Sequence, residues 1–253
     1  MNKIALITGA TSGIGLATAR KLAEKNFDLI ITGRRKDRLD KLGEELLARN
    51  DNIRILALDF DVRSLSEVTN NLGNLDDDWK NIDVLVNNAG LAAGLSHVDD
   101  GVIDDWERMI DTNIKGLLYV TRVVSPGMVE RRKGHIINIA SIAGKEVYEN
   151  GNVYCATKHA VDALSRSMRI DFVNHGIKVS NVAPGLVKTE FSDVRFKGDK
   201  EKAEVPYKGI KPLSGDDIAD VIYYCISLPE HVNIDDVLVM PAAQASSTIV
   251  HRG

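Results

Sequence analysis

Short apolar runs alternate along the chain with longer amphipathic segments. The runs are rich in Ile, Val and Leu and are bounded by turn residues, so we predict that they form β-strands. Most of them are apolar almost throughout, which is typical of strands in a parallel sheet covered on both faces. The predicted strands are Ile4–Thr8, Asp28–Thr32, Ile53–Leu58, Asp83–Asn87, Gly134–Ala140, Ile177–Ala183 and Asp236–Met240.

The segments between the strands are predicted to be helices. Their apolar residues recur at helical spacing, and Asn26, Gly176 and Pro229 supply stop signals. A chain in which strand and helix alternate forms parallel βαβ units, so the predicted fold class is α/β: a single-domain, Rossmann-type doubly wound parallel sheet over residues 1–253. The predicted helices are roughly Ile14–Lys25, Lys36–Asn50, Ser64–Leu72, Asp104–Arg132, Asn152–Asn174 and Asp216–Leu228.

One long stretch, at about residues 186–213, fits neither pattern. A loop of that length inside a compact domain is usually either functional or disordered, and we expect this one to serve the substrate. The chain has no internal repeat and no Pro/Gly/Ser-rich linker, which favours one domain.

Composition narrows the function classes. The chain of 253 residues is 44% hydrophobic and 27% charged with a formal net charge of -4, so neither nucleic acid nor an anionic membrane is an expected partner. No apolar run reaches the roughly 18 residues that cross a bilayer, and the N-terminal one is too short for a signal peptide. Cys155 and Cys225 are too few for a disulfide framework or a zinc site, and His97, His135 and His231 are isolated. We therefore expect a cytoplasmic protein without a metal.

The first predicted strand leads into the glycine-rich segment Thr8–Gly15, "TGATSGIG", and a predicted helix follows. Glycines let a backbone approach a pyrophosphate, and a helix N-terminus supplies free N–H groups and positive potential. The spacing is G-x-x-x-G-x-G, and a tight strand-to-helix turn could need glycines for its own sake. The position after the first strand favours a dinucleotide site.

Two arginines follow the second predicted strand. In sites for NAD an acidic residue holds the ribose 2′-hydroxyl at this place, whereas here Gly33 precedes Arg34 and Arg35. A guanidinium suits a 2′-phosphate, so the pair favours NADP as the cofactor. Alternatively, both arginines are a solvated helix start that pairs with Asp37.

Several motifs together resemble the short-chain dehydrogenase/reductase family over essentially the whole chain. They are "TGATSGIG", "NNAG" at Asn87–Gly90, "DTNIKG" with Asn113, Ser141, "YCATK" with Tyr154 and Lys158, and Pro184-Gly185 followed by Thr189. The resemblance implies an oxidoreductase whose active site consists of Asn113, Ser141, Tyr154 and Lys158, with Asn113 holding a water that relays protons to Lys158.

The chemistry of these residue types agrees with that implication. Tyr154 and Lys158 are four apart and share a helix face. A phenol with a pKa of about 10 is a poor base at neutral pH, but an ammonium at about 4 Å supplies roughly the 4 kcal/mol that lowers this pKa by about three units. We expect Tyr154 to give or take the hydroxyl proton, Lys158 to lower its pKa and hold the nicotinamide ribose, and Ser141 to bind the substrate oxygen.

The resemblance also assigns the cofactor residues. Asp61 and Val62 are expected beside the adenine, although "LDFDVRS" also offers Asp59. The expected cofactor-binding residues are Gly9, Ala10, Thr11, Ser12, Gly13, Ile14, Gly15, Arg34, Arg35, Asp61, Val62, Asn88, Ala89, Gly90, Tyr154, Lys158, Pro184, Gly185, Val187 and Thr189.

The variable segments bear on the substrate. "GLVKTEFSDVRFKGD" and "LPEHVNIDDVLVMPAAQAS" are similar to the branch of the family that oxidises serine, allo-threonine and other 3-hydroxy acids with NADP. Such a substrate brings a carboxylate, and we expect Arg195, with Lys197 behind it, to bind it as a planar fork. Arg195 could instead be a solvated loop charge. The loop is expected to hinge near Gly185 and Gly198 and to close over the substrate.

The sequence is also compatible with two other functions. A reductase of neutral ketones or other carbonyls would be indifferent to a substrate carboxylate. A nucleotide-binding regulator without catalysis would fail to oxidise NADPH with any carbonyl, although all four expected catalytic residues are present. By the same resemblance, the chain is expected to be a homotetramer that packs through the helices carrying Asn113 and Tyr154.

Overall fold

A computed structural model describes residues 2–253 and has an α/β Rossmann-like fold. In this part of the chain seven parallel strands form one sheet in the order β3-β2-β1-β4-β5-β6-β7. The predicted strands are all present, with ends shifted by at most two residues. They are β1 (Ile4–Ile7), β2 (Asp28–Gly33), β3 (Ile55–Asp59), β4 (Ile82–Asn87), β5 (Gly134–Ile139), β6 (Ile177–Pro184) and β7 (Asp236–Val239).

Helices connect the strands and cover both faces of the sheet. Among residues 2–253, none of them is both long and apolar enough to cross a membrane. They are α1 (Gly13–Glu24), α2 (Lys36–Arg49), α3 (Leu65–Leu72), α4 (Asp77–Lys80), α5 (Ile103–Ile110), α6 (Leu117–Arg131), α7 (Asn152–Phe172), α8 (Phe191–Arg195), α9 (Lys200–Glu204) and α10 (Gly215–Ser227).

Two apolar cores lie on opposite faces of the sheet. On one face, side chains of α1, α2 and α10, such as Leu22, Leu46 and Ile222, pack against the sheet. On the other face, α3, α6 and α7 contribute side chains such as Val68 and Met128. Because both faces are covered, the strands are apolar almost throughout, as the sequence pattern indicated.

The strand order reverses at β1, which pairs with β2 on one side and β4 on the other. Successive connections therefore leave the sheet on opposite faces at this point, and a crevice opens at the carboxyl ends of the strands. In open α/β sheets such a switch point is where ligands bind.

The helix predicted over Asp104–Arg132 is present without a gap, but it is not α-helical throughout. A π-helical segment, Asp111–Gly116, separates α5 from α6 and contains Asn113. A Cβ on Gly116 would lie 2.8 Å from Val62 Cγ2, so this segment packs closely against the loop after β3. The stretch at residues 186–213, expected to be irregular, contains the short helices α8 and α9, and Val187 bridges Leu213.

Candidate active site

A cleft of about 320 Å³ runs along the carboxyl ends of the central strands. The loop after β1 and the start of α1 form one wall, and the loops after β2 and β3 form its outer end. Ser141 after β5 and Tyr154 and Lys158 on α7 line the inner end, beside Pro184 at the end of β6.

The glycine-rich loop brings α1 against the neighbouring strand. Gly9 and Gly13 have φ angles of +68° and +55°, which side-chain-bearing residues rarely adopt. A Cβ on Gly15 would lie 2.4 Å from both Asn88 Nδ2 and the carbonyl oxygen of Gly9. Thr8 Oγ1 accepts hydrogen bonds from the backbone N–H groups of Asn88 and Ala89, at 3.0 Å each. The first βα turn is thereby joined to the turn after β4.

Arg35 lies at the mouth of this turn. Its Nη2 donates to Thr11 Oγ1 at 2.8 Å and to Ser12 Oγ at 3.2 Å, while Nη1 lies 3.3 Å from a carboxylate oxygen of Glu190. The Arg35 guanidinium therefore already contacts an anion, the Glu190 carboxylate. A guanidinium between two hydroxyl groups is a donor set that fits a phosphate.

Arg34 points to the loop after β3. Its Nη1 lies 3.9 Å from a carboxylate oxygen of Asp61, which Arg63 also contacts at 2.6 Å. Asp61 lines the cleft, whereas Asp59, at the end of β3, is exposed and does not. The alternative pairing of the two arginines with Asp37 is not seen among the ion pairs of residues 2–253.

Ser141, Tyr154 and Lys158 converge at the inner end of the cleft, and each is at least nine-tenths buried. Ser141 Oγ accepts from the N–H of Ala143 at 3.1 Å, which orients the hydroxyl. Lys158 Nζ donates to the carbonyl of Ile139 at 2.8 Å and lies 6.0 Å from the centroid of the Tyr154 ring. A phenol, a hydroxyl and an ammonium thus surround one end of the cleft.

Burial dominates the titration of this group. It raises the pKa of Tyr154 well above its usual range, and Tyr148 adds to the increase, while the Ser141 hydroxyl and the Arg195 guanidinium act in the opposite direction. It lowers the pKa of Lys158 to about 8. We expected Lys158 to lower the pKa of Tyr154. The phenol instead keeps its proton more strongly than in water, because the Ser141 hydroxyl and the Arg195 guanidinium offset only part of the effect of burial.

Asn113 links the π-helical segment to the cleft wall. Its Oδ1 accepts from the N–H of Leu91 at 2.9 Å, and its Nδ2 donates to the Leu91 carbonyl and to Thr157 Oγ1 at 2.9 and 3.0 Å. A Cβ on Gly90 would lie 3.3 Å from Asn113 Oδ1 and 3.5 Å from Lys158 Nζ, so both groups flank the same glycine. Both the oxygen and the nitrogen of the side-chain amide contact the protein, and the expected role of Asn113 in holding a water stays a prediction.

Arg195, at the end of α8, lies over the phenol. Its guanidinium carbon is 5.5 Å from the ring centroids of both Tyr148 and Tyr154, and its Nη2 donates to Tyr148 Oη at 3.0 Å. Its Nε is buried and has no hydrogen-bond partner in residues 2–253. Arg195 is half-buried and borders a small cavity that Tyr154 also lines, rather than the main cleft. A cation with an unused donor therefore stands beside the phenol.

The segment that carries Arg195 is attached to the body of the protein. The N–H of Gly94 donates to the Arg195 carbonyl at 2.9 Å. Lys197, expected behind Arg195, lies 2.8 Å from Asp105, whose carboxylate is buried. Lys197 is thus engaged in an ion pair with Asp105.

Most of the residues expected to bind the cofactor line the cleft. Ala10 and Gly15 do not: Ala10 is fully buried, and Gly15 packs behind the glycine loop. Several other residues line the cleft that the sequence motifs did not indicate, because they belong to none of those motifs' chemically distinctive positions. They are Gly33, Phe60, Leu91, Thr112, Ile139, Ala140, Glu190, Phe191 and Val194.

His135 and His97 contact protein side chains outside the cleft. His135 Nε2 lies 2.8 Å from Ser180 Oγ, and burial lowers its pKa to about 3, so the ring is neutral. His97 lies on the surface, 3.4 Å from Glu149. In the part of the chain that the structure describes, no three His, Cys, Asp or Glu side chains are grouped so as to hold a metal ion.

The chain is similar to known proteins in both sequence and fold. Residues 3–200 match the family model described as short chain dehydrogenase. The NADP-dependent 3-hydroxy acid dehydrogenase YdfG of Escherichia coli (strain K12) is 46% identical over 251 residues, 98% of this chain and 99% of that protein. Sulfoacetaldehyde reductase 2 of Chromohalobacter salexigens is 42% identical over 248 residues, 98% and 97% of the two chains. The closed form of serine dehydrogenase complexed with NADP+ has a TM-score of 0.91 at 46% identity and covers 99% of this chain and 100% of that one.

Proposed function

The chain belongs to the short-chain dehydrogenase family, and on that basis we propose that it is an NADP-dependent oxidoreductase. It transfers a hydride between the nicotinamide and the hydroxyl-bearing carbon of a small 3-hydroxy acid such as serine, allo-threonine or 3-hydroxypropionate. The observation that carries this proposal is the position of Arg195, a cation with a free donor, 5.5 Å from the ring of the buried Tyr154. The names of relatives that cover nearly the whole chain support it.

The residues of the cleft fit a dinucleotide with a 2′-phosphate. Thr11, Ser12 and Arg35 supply the donors for the phosphate, and the glycines at 9 and 13 let the backbone approach the pyrophosphate. When bound, NADP supplies the hydride acceptor or, reduced, the hydride donor. Lys158, buried at the inner end, is the group proposed to hold the nicotinamide ribose.

Tyr154 is the proposed acid/base. In reduction its phenol donates a proton to the substrate oxygen, and in oxidation the phenolate accepts the hydroxyl proton. Ser141 donates a hydrogen bond to the same oxygen, where negative charge develops. Lys158 stabilises the phenolate, because an ammonium and a phenolate in one buried site each offset the desolvation of the other.

Arg195 is the proposed ligand of the substrate carboxylate. Its stacking on Tyr148 and the hydrogen bond to Tyr148 Oη hold the guanidinium plane, and Nε remains free to donate. A planar fork binds two oxygens of one anion and so orients the substrate relative to Tyr154. A sulfonate offers a similar set of oxygens, which is consistent with the name of the Chromohalobacter relative.

The proposal is tested by steady-state kinetics with purified protein. L-serine, allo-threonine, 3-hydroxypropionate, 2-hydroxyethanesulfonate and a neutral secondary alcohol are offered with NADP+ and, in parallel, with NAD+. We expect the anionic alcohols with NADP+ to be the best pairs, and Tyr154→Phe to lose at least about 1000-fold in kcat because the proton has no other acceptor. Equal kcat/KM for the neutral alcohol, or a Tyr154→Phe protein that keeps most of its turnover, would overturn the proposal.

We further propose that the protein is cytoplasmic and forms a homotetramer. Large apolar side chains are exposed on the helices around the site, including Ile103 and Ile110 on α5, Leu118 on α6 and Ile170 on α7. Such exposed apolar surface is typical of contacts between subunits. Light scattering on the eluting protein measures the mass, and a monomer of 27.7 kDa would contradict the assembly.

A further inference from the structure

A carboxylate from one lip of the cleft reaches the cations of the other lip. Glu190 follows Thr189 and immediately precedes α8, on the inner side of the cleft. Both of its oxygens lie 2.9 Å from Arg38 Nη1, and one lies 3.3 Å from Arg35 Nη1. Arg38 is in the first turn of α2, directly after the strand that ends at the proposed phosphate site. Glu190 therefore spans the outer cleft between the substrate loop and the adenosine side.

We propose that Glu190 occupies the place of the 2′-phosphate in the cofactor-free chain and that Arg38 is a further cation of that phosphate site. Arg35 is shared between Glu190 and the hydroxyl groups of Thr11 and Ser12, which are the donors suited to the phosphate. A carboxylate brings one negative charge and two oxygens, whereas a phosphomonoester brings a charge of about −1.5 to −2 and three oxygens. The phosphate therefore binds the same guanidinium groups more strongly and displaces the carboxylate, which it also repels.

Displacement of Glu190 is expected to affect the binding of NADP but not that of NAD. A 2′-hydroxyl brings no charge to this place and leaves the ion pairs of Glu190 intact. A 2′-phosphate must break them, so Glu190 competes with NADP and not with NAD. Arg38 acts in the opposite sense, since the displaced carboxylate leaves its guanidinium available to the phosphate.

Displacement of Glu190 by the phosphate would remove one contact at the start of the substrate loop, at residues 186–213. Glu190 holds the start of the segment that leads to Arg195, while Gly94 and Asp105 hold its far end through Arg195 and Lys197. Release of Glu190 therefore leaves the proposed carboxylate ligand attached, and Tyr207 still contacts Ser192 Oγ and the Val187 carbonyl.

This inference rests on the proposed use of NADP and is tested by equilibrium binding rather than by turnover. Isothermal titration of the cofactor-free protein with NADP+ and with NAD+ gives both dissociation constants at one ionic strength. Glu190→Gln is expected to bind NADP+ about three- to tenfold more tightly, because two partly exposed ion pairs no longer oppose the phosphate. NAD+ binding is expected to change less than twofold and also reports that each variant is folded.

Two further variants separate the roles. Arg38→Ala is expected to weaken NADP+ binding at least about fivefold with no effect on NAD+, and the gain from Glu190→Gln is expected to shrink in the Arg38→Ala background. Asp193→Asn is the matched control, because it removes the same charge from the same segment and its exposed carboxylate makes no ion pair in residues 2–253.

The outcomes distinguish this inference from the function on which it rests. Wild-type protein that binds NAD+ as tightly as NADP+ would refute the proposed cofactor and the inference together. A clear NADP+ preference with no gain in Glu190→Gln overturns the inference alone, as does an equal gain in Asp193→Asn. Unchanged NADP+ affinity in Arg38→Ala overturns the assignment of Arg38 to the phosphate site.

Discussion

Replacement of Arg195 by alanine tests the substrate end of the site most directly. The guanidinium lies 5.5 Å from the Tyr154 ring and keeps one buried donor without a partner in residues 2–253. Alanine removes both the proposed anion ligand and a positive charge beside the phenol. The substitution therefore has two separable effects, one on substrate binding and one on the pKa of Tyr154.

The first effect follows from the loss of a charge-assisted hydrogen bond. Such a bond to a charged group contributes about 1.5–3 kcal/mol, so kcat/KM for a 3-hydroxy acid is expected to fall about 10- to 150-fold, mainly through KM. A neutral secondary alcohol has no carboxylate to lose, and its KM is expected to stay within about threefold.

The second effect follows from Coulomb's law. The guanidinium carbon is 5.5 Å from the centroid of the Tyr154 ring. Two unit charges at about that separation interact by about 0.8 kcal/mol at a dielectric constant of 80 and by about 3 kcal/mol at 20. Because Arg195 is half-buried, the lower part of this range applies, about 1 kcal/mol or somewhat under one pKa unit. Loss of a cation raises the pKa of a phenol, so the rising limb of the pH profile for oxidation is expected to move to higher pH by about half to one unit. This shift applies to every substrate.

The assay is initial-rate oxidation of 3-hydroxypropionate and of a neutral secondary alcohol between pH 6 and pH 11. Arg195→Lys keeps the charge and loses the fork, so it is expected to restore the pH profile but only part of the affinity. Lys202→Ala removes an exposed charge from the same loop and is the control. An unchanged KM for 3-hydroxypropionate in Arg195→Ala, or an equal loss with the neutral alcohol, would refute the reasoning.

Three further predictions follow from the site. Lys158→Met is expected to abolish turnover and yet to raise the free energy of unfolding at pH 7 by about 2 kcal/mol. Burial of the ammonium destabilises the folded chain by about 3 kcal/mol, and loss of the hydrogen bond to Ile139 offsets about 1 kcal/mol of the gain from its removal. The pKa of Lys158 is about 8 in the folded chain and 10.5 ordinarily, so between these values the unfolded chain binds more protons than the folded one. In urea titrations the stabilisation by Lys158→Met should therefore vanish as pH rises towards 10.5. Gly15→Ala is expected to reduce NADP+ affinity more than tenfold in calorimetric titration, because a Cβ would meet the Gly9 carbonyl at 2.4 Å and separate α1 from the loop; unaltered affinity would contradict this. Oxidation of 3-hydroxypropionate is expected to speed up with pH above neutrality, while reduction of the corresponding aldehyde is not, because burial raises the pKa of Tyr154; parallel profiles would speak against Tyr154 as the group that titrates.

The strands could be predicted because their chemistry is local. Each is an apolar run between turn residues, and Asp28 and Gly134 begin their strands in both the prediction and the structure. Tyr154 and Lys158 could be placed on one face because an unbroken helix fixes residues four apart. The strands and the pair Tyr154 and Lys158 could thus be predicted because each depends on one secondary-structure element alone.

The surroundings of those residues could not be predicted, because they depend on contacts distant in sequence. The π-helical segment at Asn113 is fitted to Val62 through Gly116 and to Leu91 through the amide of Asn113. The long helix itself could be predicted, but no residue type marks where its turns widen to the π form. Glu190 likewise has no signature in sequence, since its partner Arg38 is contributed by a different helix at the other lip of the cleft.

The electrostatic state of the site is also a property of the assembled fold. Burial shifts both members of the pair towards their neutral forms, which raises the pKa of Tyr154 and lowers that of Lys158 to about 8. At neutral pH Lys158 is still charged and Tyr154 is protonated, so the cofactor-free chain holds the pair as ammonium and phenol. In the proposed mechanism that is the state from which Tyr154 donates a proton to a carbonyl, whereas oxidation of an alcohol needs the phenolate. The Ser141 hydroxyl and the Arg195 guanidinium already act towards the phenolate, so the proposed contribution of Lys158 adds to two groups that favour the same form.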